Sequence, residues 1–321
     1  MTKSDRRRHD PWHARLHVVT GKGGTGKTTV SAALALALAA GGRRTLLVEV
    51  EGRQGIAQLF GTEPLPYEER PIAEAAGGGE VRALAVDAEA ALLEYLEMFY
   101  KLGAAGRALR RFGAIDFATT IAPGIRDVLL TGKVKEATTR ASNGRRAYDA
   151  VVLDAPPTGR IGRFLSVTEE TARLARVGPI KTQSDSVQAL LRSPMTAVHV
   201  VTLLEEMPVQ ETIDAIGELD RLRIPVGNVI VNQARPRLLT GASKITQAEL
   251  KRGLAAVELP TDRATVTGLH TEARDHLTRR EMEESLRGDL VEIGRPLVEL
   301  PLLTTEIDRA ALDILAAILL T

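Results

Sequence analysis

The sequence lacks cysteine altogether and contains few aromatic residues. The absence of cysteine from all 321 residues excludes disulfides, thiolate zinc sites and cysteine-ligated iron–sulfur clusters. Aromatic residues make up only 3% of the chain, so its core must rest on Leu, Val, Ile and Ala. With 44% hydrophobic and 26% charged residues, the composition predicts a soluble globular protein.

The chain also lacks a long apolar run and an excess of charge of either sign. Its longest apolar helical run, Ala32–Ala40, is much too short to span a bilayer, and its polar first residues do not resemble a secretory signal. Lysine and arginine number 42 against 41 acidic residues, so no overall basic field attracts nucleic acid or anionic lipid. We expect a cytoplasmic protein with no nucleic-acid partner, at most peripheral membrane contact, and a flexible basic tail over residues 1–14.

Short apolar runs alternate with helix-forming segments along the rest of the chain. The predicted strands are Leu16–Thr20, Thr45–Val50, Val81–Val86, Tyr148–Leu153, Ala197–Leu203, Val226–Val231 and Pro296–Leu300. Such alternation implies parallel strands joined by right-handed helical crossovers. We therefore predict the α/β class, with a doubly wound, mostly parallel sheet in a single domain over residues 15–321.

Long segments outside this alternation are rich in helix-forming residues. They predict a helical subdomain over approximately residues 88–145, set into the α/β core, and further helices over approximately 166–195 and 243–293. Residues 64–79 are rich in Pro, Gly and Glu and are predicted to form a loop. The closing helix, Glu306–Leu320, lacks a basic face and is expected to pack in the core rather than on a membrane.

An apolar stripe marks the start of the predicted helical subdomain, where Leu92, Leu93, Leu96 and Phe99 recur at helical spacing. Two interpretations remain open. The stripe packs on neighbouring helices, or it forms an exposed groove for a partner helix. The chain has only 5 methionines, which weakens the case for an adaptable groove.

A glycine-rich string, GKGGTGKTT, follows the first predicted strand and opens the first predicted helix. It satisfies the phosphate-loop pattern G-x-x-x-x-G-K-[ST] in the required strand-to-helix context. Backbone N–H groups and the helix N-terminus would cradle phosphates, Lys27 would reach the β- and γ-phosphates, and the Thr28 hydroxyl would bind Mg²⁺. The predicted Mg-ATP-binding residues are Gly21, Gly23, Gly24, Thr25, Gly26, Lys27, Thr28 and Thr29.

Lys22 is a second lysine, directly after the first glycine of this loop. A lysine there marks the deviant Walker A class, in which it crosses a dimer interface and contacts the nucleotide of the other subunit. Acting in trans as an arginine finger does, it would contribute roughly 10³–10⁵ in rate. The alternative is a solvated loop lysine. We predict a catalytic role for Lys22 and hence a dimer.

Three acidic residues follow the predicted strands at the edge where a parallel sheet binds its ligand. Glu49 and Glu51 lie on one face at the end of the second strand, and Asp154 ends the strand Tyr148–Leu153. We predict that Glu49 and Asp154 hold Mg²⁺ or its waters and that Glu51 orients the attacking water. The alternatives are exposed edge carboxylates for the glutamates and a helix cap for Asp154. Residues 156–159 would form a loop that senses the γ-phosphate.

Together these motifs resemble the arsenite-pump and tail-anchored-protein-targeting ATPases (ArsA/GET-type) of the deviant Walker A class. The resemblance covers nearly the whole chain. It rests on GKGGTGKTT (21–29), EGRQGIAQLFG (51–61), APGI (122–125), YDAVVLDAPPTGRIGRFL (148–165), VNQ (231–233) and ELPLLTTEI (299–307).

The resemblance implies a function and further site residues. Glu51 stands where the family has the aspartate of a D-P-A-H switch motif, Asn232 stands at the adenine-recognising asparagine, and the loop around Pro301 would complete the adenine pocket. Family members close as dimers around nucleotide, and their helical subdomains carry the client or effector surface. We therefore expect a dimeric ATP hydrolase that couples Mg-ATP binding and hydrolysis to dimer closure and to handling of a protein client.

Two departures from the family pattern affect this expectation. The motif D-P-A-H is replaced by E-G-R-Q from Glu51 to Gln54, and Arg160 replaces the histidine that usually follows P-T-G. Since a misplacement of roughly 1 Å can cost about 10²-fold in rate, hydrolysis by the chain alone is expected to be slow. Alternatives are an ATP-binding regulatory subunit that pairs with an active paralogue, as some bacterial members do, and a partition or septum-placement ATPase. Without cysteine, arsenite pumping is not expected.

Overall fold

Seven of the eight strands in the central sheet run parallel to one another. The computed structural model describes residues 11–100, 125–174, 179–236, 238–239 and 245–319. Numbered along the chain, its strands are β1 (Leu16–Gly21), β2 (Arg44–Glu49), β3 (Arg70–Ala75), β4 (Gly79–Ala85), β5 (Ala141–Ser142), β6 (Arg145–Arg146), β7 (Ala150–Asp154), β8 (Thr196–Thr202), β9 (Val226–Ala234) and β10 (Leu297–Pro301). The sheet order is β10-β9-β8-β1-β7-β2-β4-β3, with β3 antiparallel to β4, while β5 and β6 form a separate hairpin.

Helices connect these strands and cover both faces of the sheet. They are α1 (Lys27–Ala39), α2 (Gly55–Leu59), α3 (Ala88–Tyr100), α4 (Ile125–Thr139), α5 (Thr158–Leu174), α6 (Pro179–Leu191), α7 (Glu206–Arg221), α8 (Gln247–Ala256), α9 (Arg263–Glu292) and α10 (Arg309–Leu319). A 3-10 turn, Pro11–His13, precedes β1. The predicted α/β class and doubly wound, mostly parallel sheet are confirmed.

The core has two layers because successive residues of each strand point to opposite faces. Val19 lies in the layer under α1 and α10, whereas Val18 lies in the layer under α4 to α7. Helix α1 is apolar nearly all round, since it covers the middle of the sheet and is itself covered by α10. Leu312 and Leu315 of α10 are buried there, so the closing helix packs in the core as predicted. Among the described residues, no helix has the length and apolar character needed to cross a membrane.

Three local predictions were wrong. Residues 64–79 are not all loop, because Arg70–Ala75 forms the edge strand β3. Its Pro71 cannot donate to a ladder, which an edge strand tolerates and a central one does not. The last residues of the predicted helical segment form the β5–β6 hairpin, whose turn is Asn143–Gly144 with positive φ at both residues. Helix α5 begins at Thr158, well before the predicted position near 166.

The predicted helical subdomain is described only in part. Helices α3 and α4 pack on each other, and Leu130 and Val134 of α4 lie in the core of the sheet layer. Leu93 is buried and Leu92 packs against the same core, which agrees with the packing interpretation for the first half of the stripe. The side chains of Leu96 and Phe99 lie outside the described residues, as do the motif residues 122–124 and most of the predicted tail. The subdomain boundaries therefore stay a prediction.

Candidate nucleotide site

The parallel order of the strands brings the predicted site residues to one edge of the sheet. Strand β7 lies between β1 and β2, and Asp154 at its end is paired in register with Val19 and with Glu49. The glycine-rich loop leaves β1 at the same edge and enters α1. Residues that are distant in the sequence are neighbours here because the carboxyl ends of parallel strands meet.

The loop conformation requires glycine at defined positions. A Cβ on Gly21 would collide with the carbonyl oxygen of Val201, so the loop can leave β1 only with glycine there. Gly24 and Gly26 have φ of 90° and 86°, a conformation that other residues rarely adopt. Gly23 is exposed, and Thr29 lies in the first turn of α1. Glycine at these positions therefore fixes the path of the loop.

Two side-chain hydrogen bonds hold this loop in place. The buried Thr25 hydroxyl donates to the carbonyl oxygen of Lys22 at 2.9 Å. Asn232, at the end of β9, donates its Nδ2 to the carbonyl oxygen of Thr25, also at 2.9 Å. A carboxamide whose donor is engaged in this way keeps its oxygen as an acceptor. Asn232 therefore joins the loop to the part of the site where a base is predicted to bind.

Lys27 lies folded into the loop. Its Nζ is 3.5 Å from the carbonyl oxygen of Lys22, a long contact for an ammonium donor. Burial lowers the pKa of Lys27, although the carboxylates of Asp154 and Glu51 act in the opposite direction. The ammonium is therefore partly withdrawn from water without a close carboxylate among the described residues, and a phosphate would supply an anionic partner.

Asp154 is buried at the centre of the site. It accepts hydrogen bonds from the Thr28 hydroxyl at 2.7 Å and from the Ser31 hydroxyl at 3.3 Å. Burial, and to a smaller extent the nearby Glu49, raise the pKa of Asp154 to about 6, although Thr28 and Lys27 act in the opposite direction. Ser31 was not predicted as a site residue, because the motif ends before it and only the helical spacing from Thr28 points to it.

Glu49 is also buried, and one of its oxygens has no partner among the described residues. Its Oε2 accepts a hydrogen bond from the backbone N–H of Ile56 at 3.2 Å, at the start of α2, but Oε1 is buried without one. An orphaned carboxylate oxygen next to Asp154 and Thr28 forms a set of hard oxygen donors that fits Mg²⁺. These three residues would hold the ion through direct or water-mediated contacts.

The carboxylate of Glu51 is ion-paired at this edge of the sheet. Its Oε1 is 3.4 Å from Arg160 and its Oε2 is 3.7 Å from Arg53. Two of the residues that depart from the family pattern, Glu51 and Arg160, are therefore paired with each other. They line a cavity of about 210 Å³ together with Arg126 and Asp127 of α4, where burial raises the pKa of Asp127.

Lys22 has a partner that the sequence did not reveal. Its Nζ lies 2.7 Å from Oε1 of Glu211 on α7, and the Thr158 hydroxyl donates to the other oxygen of Glu211 at 3.0 Å. The hydrogen bond from Lys22 lowers the pKa of Glu211. About a third of each side chain is exposed, so Lys22 lies at the surface of this edge. No motif marks Glu211, which reaches the site only through the packing of α7.

A cavity of about 350 Å³ opens beside Asn232. Leu302, directly after β10, lines it from one side, and Arg279, Met282 and Glu283 of α9 line it from another. Pro301 is paired in register with Ala234, which also lines the cavity. The predicted base-binding residues are therefore brought together, and α9 adds a wall that was not predicted.

Comparison with known proteins gives the family of the chain. Residues 14–187 match the family of anion-transporting ATPases. ATPase BagA of Mycobacterium tuberculosis is 54% identical over 308 residues, which cover 93% of this chain and 90% of that protein. ATPase GET3 of Kluyveromyces lactis is 27% identical over 250 residues, covering 67% of this chain and 70% of that protein. A protein of Aquifex aeolicus assigned as arsenical pump-driving ATPase 2 is 24% identical over 251 residues, covering 69% of this chain and 81% of that protein. The resemblance in the sequence is confirmed, and this chain belongs to the ArsA/GET3-type family of ATP-binding ATPases.

Proposed function

We propose that this chain works as a dimer that couples Mg-ATP binding and hydrolysis to dimer closure and to handling of a protein client. The observation that carries the proposal is the convergence of Lys27, the Thr28–Asp154 pair and Glu49 at the mouth of a preformed phosphate loop. An ammonium without a close anion and a carboxylate oxygen without a donor are both costly when buried. Mg-ATP satisfies both at once.

Each residue has a distinct role in this proposal. The N–H groups of the loop and Lys27 bind the β- and γ-phosphates, while Thr28, Asp154 and Glu49 hold Mg²⁺. The ion neutralises charge on the transferring phosphoryl group. Asn232 and the loop around Pro301 bind adenine, for which the 350 Å³ cavity provides the space. Glu51 orients the attacking water.

Lys22 acts on the nucleotide of the other subunit. Its ammonium is partly exposed at the nucleotide edge and, among the described residues, is paired with the carboxylate of Glu211. An exposed pair of this kind contributes only about 0–1 kcal/mol, so the lysine can be released at little cost when a second subunit approaches.

A regulatory subunit that binds ATP but hydrolyses it slowly is the second candidate, and the state of Glu51 favours it. Arg160 and Arg53 both lie close to its carboxylate and would compete with the attacking water for its oxygens. In this version the chain pairs with a paralogue that carries the standard switch residues. A partition or septum-placement role gains no support, since α10 is packed in the core.

The client or effector binds the helical subdomain in this proposal. The described part of α3 and α4 uses Leu93 and Leu130 for internal packing. A client surface would therefore involve the opposite faces of these helices or the adjoining residues 101–124. No thiolate is present anywhere in the chain, so the client is not arsenite held by cysteine.

Turnover and closure test the proposal together. ATP hydrolysis is measured for the chain alone and with a candidate paralogue, and small-angle scattering follows the particle with and without a non-hydrolysable Mg-ATP analogue. We expect compact dimers only with the analogue. Turnover by the chain alone supports the dimeric ATPase, and turnover only with the paralogue supports the regulatory subunit. If the chain binds the analogue but stays monomeric both alone and with the paralogue, the dimeric ATPase and the regulatory subunit are both wrong.

A further inference from the structure

Helices α8 and α9 form an arm that extends beyond the nucleotide edge of the sheet. Helix α9 ends at Glu292, just before the amino end of β10, and therefore runs antiparallel to the strands. Arg279, Met282 and Glu283 lie beside Asn232 at the carboxyl edge. Residues 284–292 thus cover the height of the sheet, and the part of α9 before Arg279 continues past it.

The protruding part is long, and α8 is the described helix that packs along it. Sixteen helical residues precede Arg279 in α9, which corresponds to about 24 Å at 1.5 Å per residue. Helix α8 packs back along this part, and His270 of α9 is bonded to the carbonyl oxygen of Ile245 at 3.0 Å. We call residues 245–278 the arm. Both helices have side-chain N-caps, Thr246 and Asp262, so the arm is built as a defined element.

The arm buries little of its own apolar surface. Helix α8 has no buried residue, and within the arm part of α9 only Val266 is buried. The turn that joins the two helices carries Val257 and Leu259 at its tip, 65% and 54% exposed, and Leu269 is exposed almost two turns into α9. Among the described residues these are three of nine exposed large hydrophobic side chains. Two exposed aliphatic side chains at the end of a protruding element indicate a protein interface.

The charges of the arm indicate which class of partner it can bind. Its basic residues are Lys251, Arg252, Arg263 and Arg274, and its acidic residues are Glu249, Glu258, Asp262, Glu272 and Asp275. Four against five leaves the arm nearly neutral. It offers no basic surface for nucleic acid or anionic lipid, whereas mixed charge around an apolar tip suits another protein surface of balanced charge. This chain, with a net charge of +1, is itself nearly neutral and is therefore compatible with such a contact.

We propose that the arm grips a second copy of this chain when the dimer closes. The inference rests on the proposed dimeric function, in which the two nucleotide edges face each other. A helix that extends about 24 Å past that edge crosses the plane between the subunits, so its tip must lie against the other copy. Val257 and Leu259 are buried on closure, and α9 transmits the event to the base cavity through Met282 and Glu283.

The absence of native cysteine allows a direct test by site-specific cross-linking. Leu259→Cys at the tip and Met195→Cys, a 41% exposed apolar position before β8 at the opposite edge, are each labelled with a photoactivatable maleimide. Normal and ¹⁵N-labelled chains are mixed with or without a non-hydrolysable Mg-ATP analogue, and cross-linked peptides are identified by mass. We expect mixed-isotope products from Leu259→Cys, only with the analogue, and none from Met195→Cys.

A second variant pair measures the strength of the contact by light scattering. Val257→Glu combined with Leu259→Glu should weaken analogue-driven dimerisation at least tenfold, because charges would be buried at the tip, while analogue binding by the monomer and dimerisation of Met195→Glu stay as in the wild type. If the wild type dimerises but the tip cross-links only within its own chain, or the glutamate variant dimerises normally, the arm inference alone is wrong. A wild type that binds the analogue and stays monomeric overturns both the arm inference and the dimeric function.

Discussion

The two ends of β1 bury polar side chains in opposite ways. Toward its amino end, His17 and the neighbouring His199 of β8 are fully buried, and all their ring nitrogens have partners. The N–H of Asn228 donates to His199 Nδ1, so His199 Nε2 carries the proton and donates to His17 Nδ1 at 3.1 Å. His17 Nε2 then donates to the carbonyl oxygen of Ala14. At the edge of the sheet where β1 ends, Glu49 of the nearby strand β2 has a buried oxygen with no donor among the described residues.

This difference distinguishes a structural polar cluster, the histidine pair, from a ligand-binding one, the nucleotide edge, within one sheet. The histidine pair, with Trp12 stacked on His199, is complete as it stands and needs no ligand. The nucleotide edge is incomplete, since a buried polar group without a partner costs about 1–3 kcal/mol. Burial also raises the pKa of Asp154 and lowers that of Lys27. Perturbed groups in an open edge are typical of a ligand site.

Removal of the Lys27 ammonium should produce the largest effect. Lys27→Ala is expected to lower kcat/KM for ATP by about 10²–10³ or more, because a preorganised cation on the phosphates is lost. Trp12→Ala at the other end is the matched control, and it should lower the thermal midpoint while kcat stays within about twofold. Steady-state kinetics and thermal melts measure both. Retention of most activity by Lys27→Ala would mean that the loop does not bind ATP as proposed.

The histidine pair predicts a loss of stability in mild acid. Burial lowers the pKa of His17 to about 4, against about 6.5 in the unfolded chain. The unfolded state therefore binds more protons between these values, and stability falls as pH drops through this window. His17 alone should cost about 2 kcal/mol between pH 7 and pH 5. His199 should act in the same direction, because its pKa is also lowered by burial.

Urea unfolding at the two pH values checks this prediction. It is best measured in Asp154→Asn, because the pKa of Asp154 is raised in the folded chain and its titration opposes that of the histidines. A stability in that variant that is unchanged between pH 7 and pH 5 would show that the pair is not buried in neutral form.

At the nucleotide edge of the sheet, Asp154 should make Mg-ATP binding depend on pH. Its pKa of about 6 means that the free chain holds a proton there below pH 6, and Mg²⁺ requires the carboxylate. Mg-ATP affinity is therefore expected to rise about tenfold from pH 5 to pH 7. Fluorescence titration with a labelled ATP analogue measures the profile, which should be flat in Asp154→Asn. An equally steep profile in that variant would assign the titration to another group.

Breaking the Lys22–Glu211 ion pair should have the smallest effect on stability and dimerisation. Both side chains are partly exposed, so the pair contributes at most about 1 kcal/mol. Glu211→Gln should therefore leave the free energy of unfolding within that limit and strengthen analogue-driven dimerisation by less than about fivefold for each of the two Lys22 residues that it releases. Sedimentation equilibrium checks both the direction and the size. Weaker dimerisation in this variant would mean that Glu211 positions Lys22 for its partner instead of retaining it.

The sequence predicted those parts that depend on local pattern. The strand–loop–helix unit around Gly21 could be predicted because strand, glycines and Lys27 are contiguous, and the other parallel strands because each is an apolar run. Strand β3 could not, since Pro71 and its half-exposed residues resemble a loop. The β5–β6 hairpin had a readable signal in Asn143–Gly144 that the helix-rich context obscured.

Contacts between distant residues were beyond sequence reasoning. Glu49 and Asp154 could be placed at one edge from strand order, but the pairing of Glu51 with Arg160 depends on how α5 follows β7. Glu211 and the wall that Met282 contributes to the base cavity come from helices whose sequences carry no motif. Tertiary packing alone decides which side chains of such helices reach the site.

The most direct test of the dimeric ATPase mixes two variants that are each expected to be inactive alone. Lys22→Ala lacks the lysine that acts in trans but keeps its own Asp154, and Asp154→Asn keeps Lys22 but cannot hold Mg²⁺. In mixed dimers the Lys22→Ala site would receive the lysine of its partner. An equal mixture should recover roughly a quarter of the wild-type rate, because half of random dimers are mixed and each has one complete site of two. A mixture no faster than its components, or a Lys22→Ala chain as fast as the wild type, would contradict the role of Lys22 in trans.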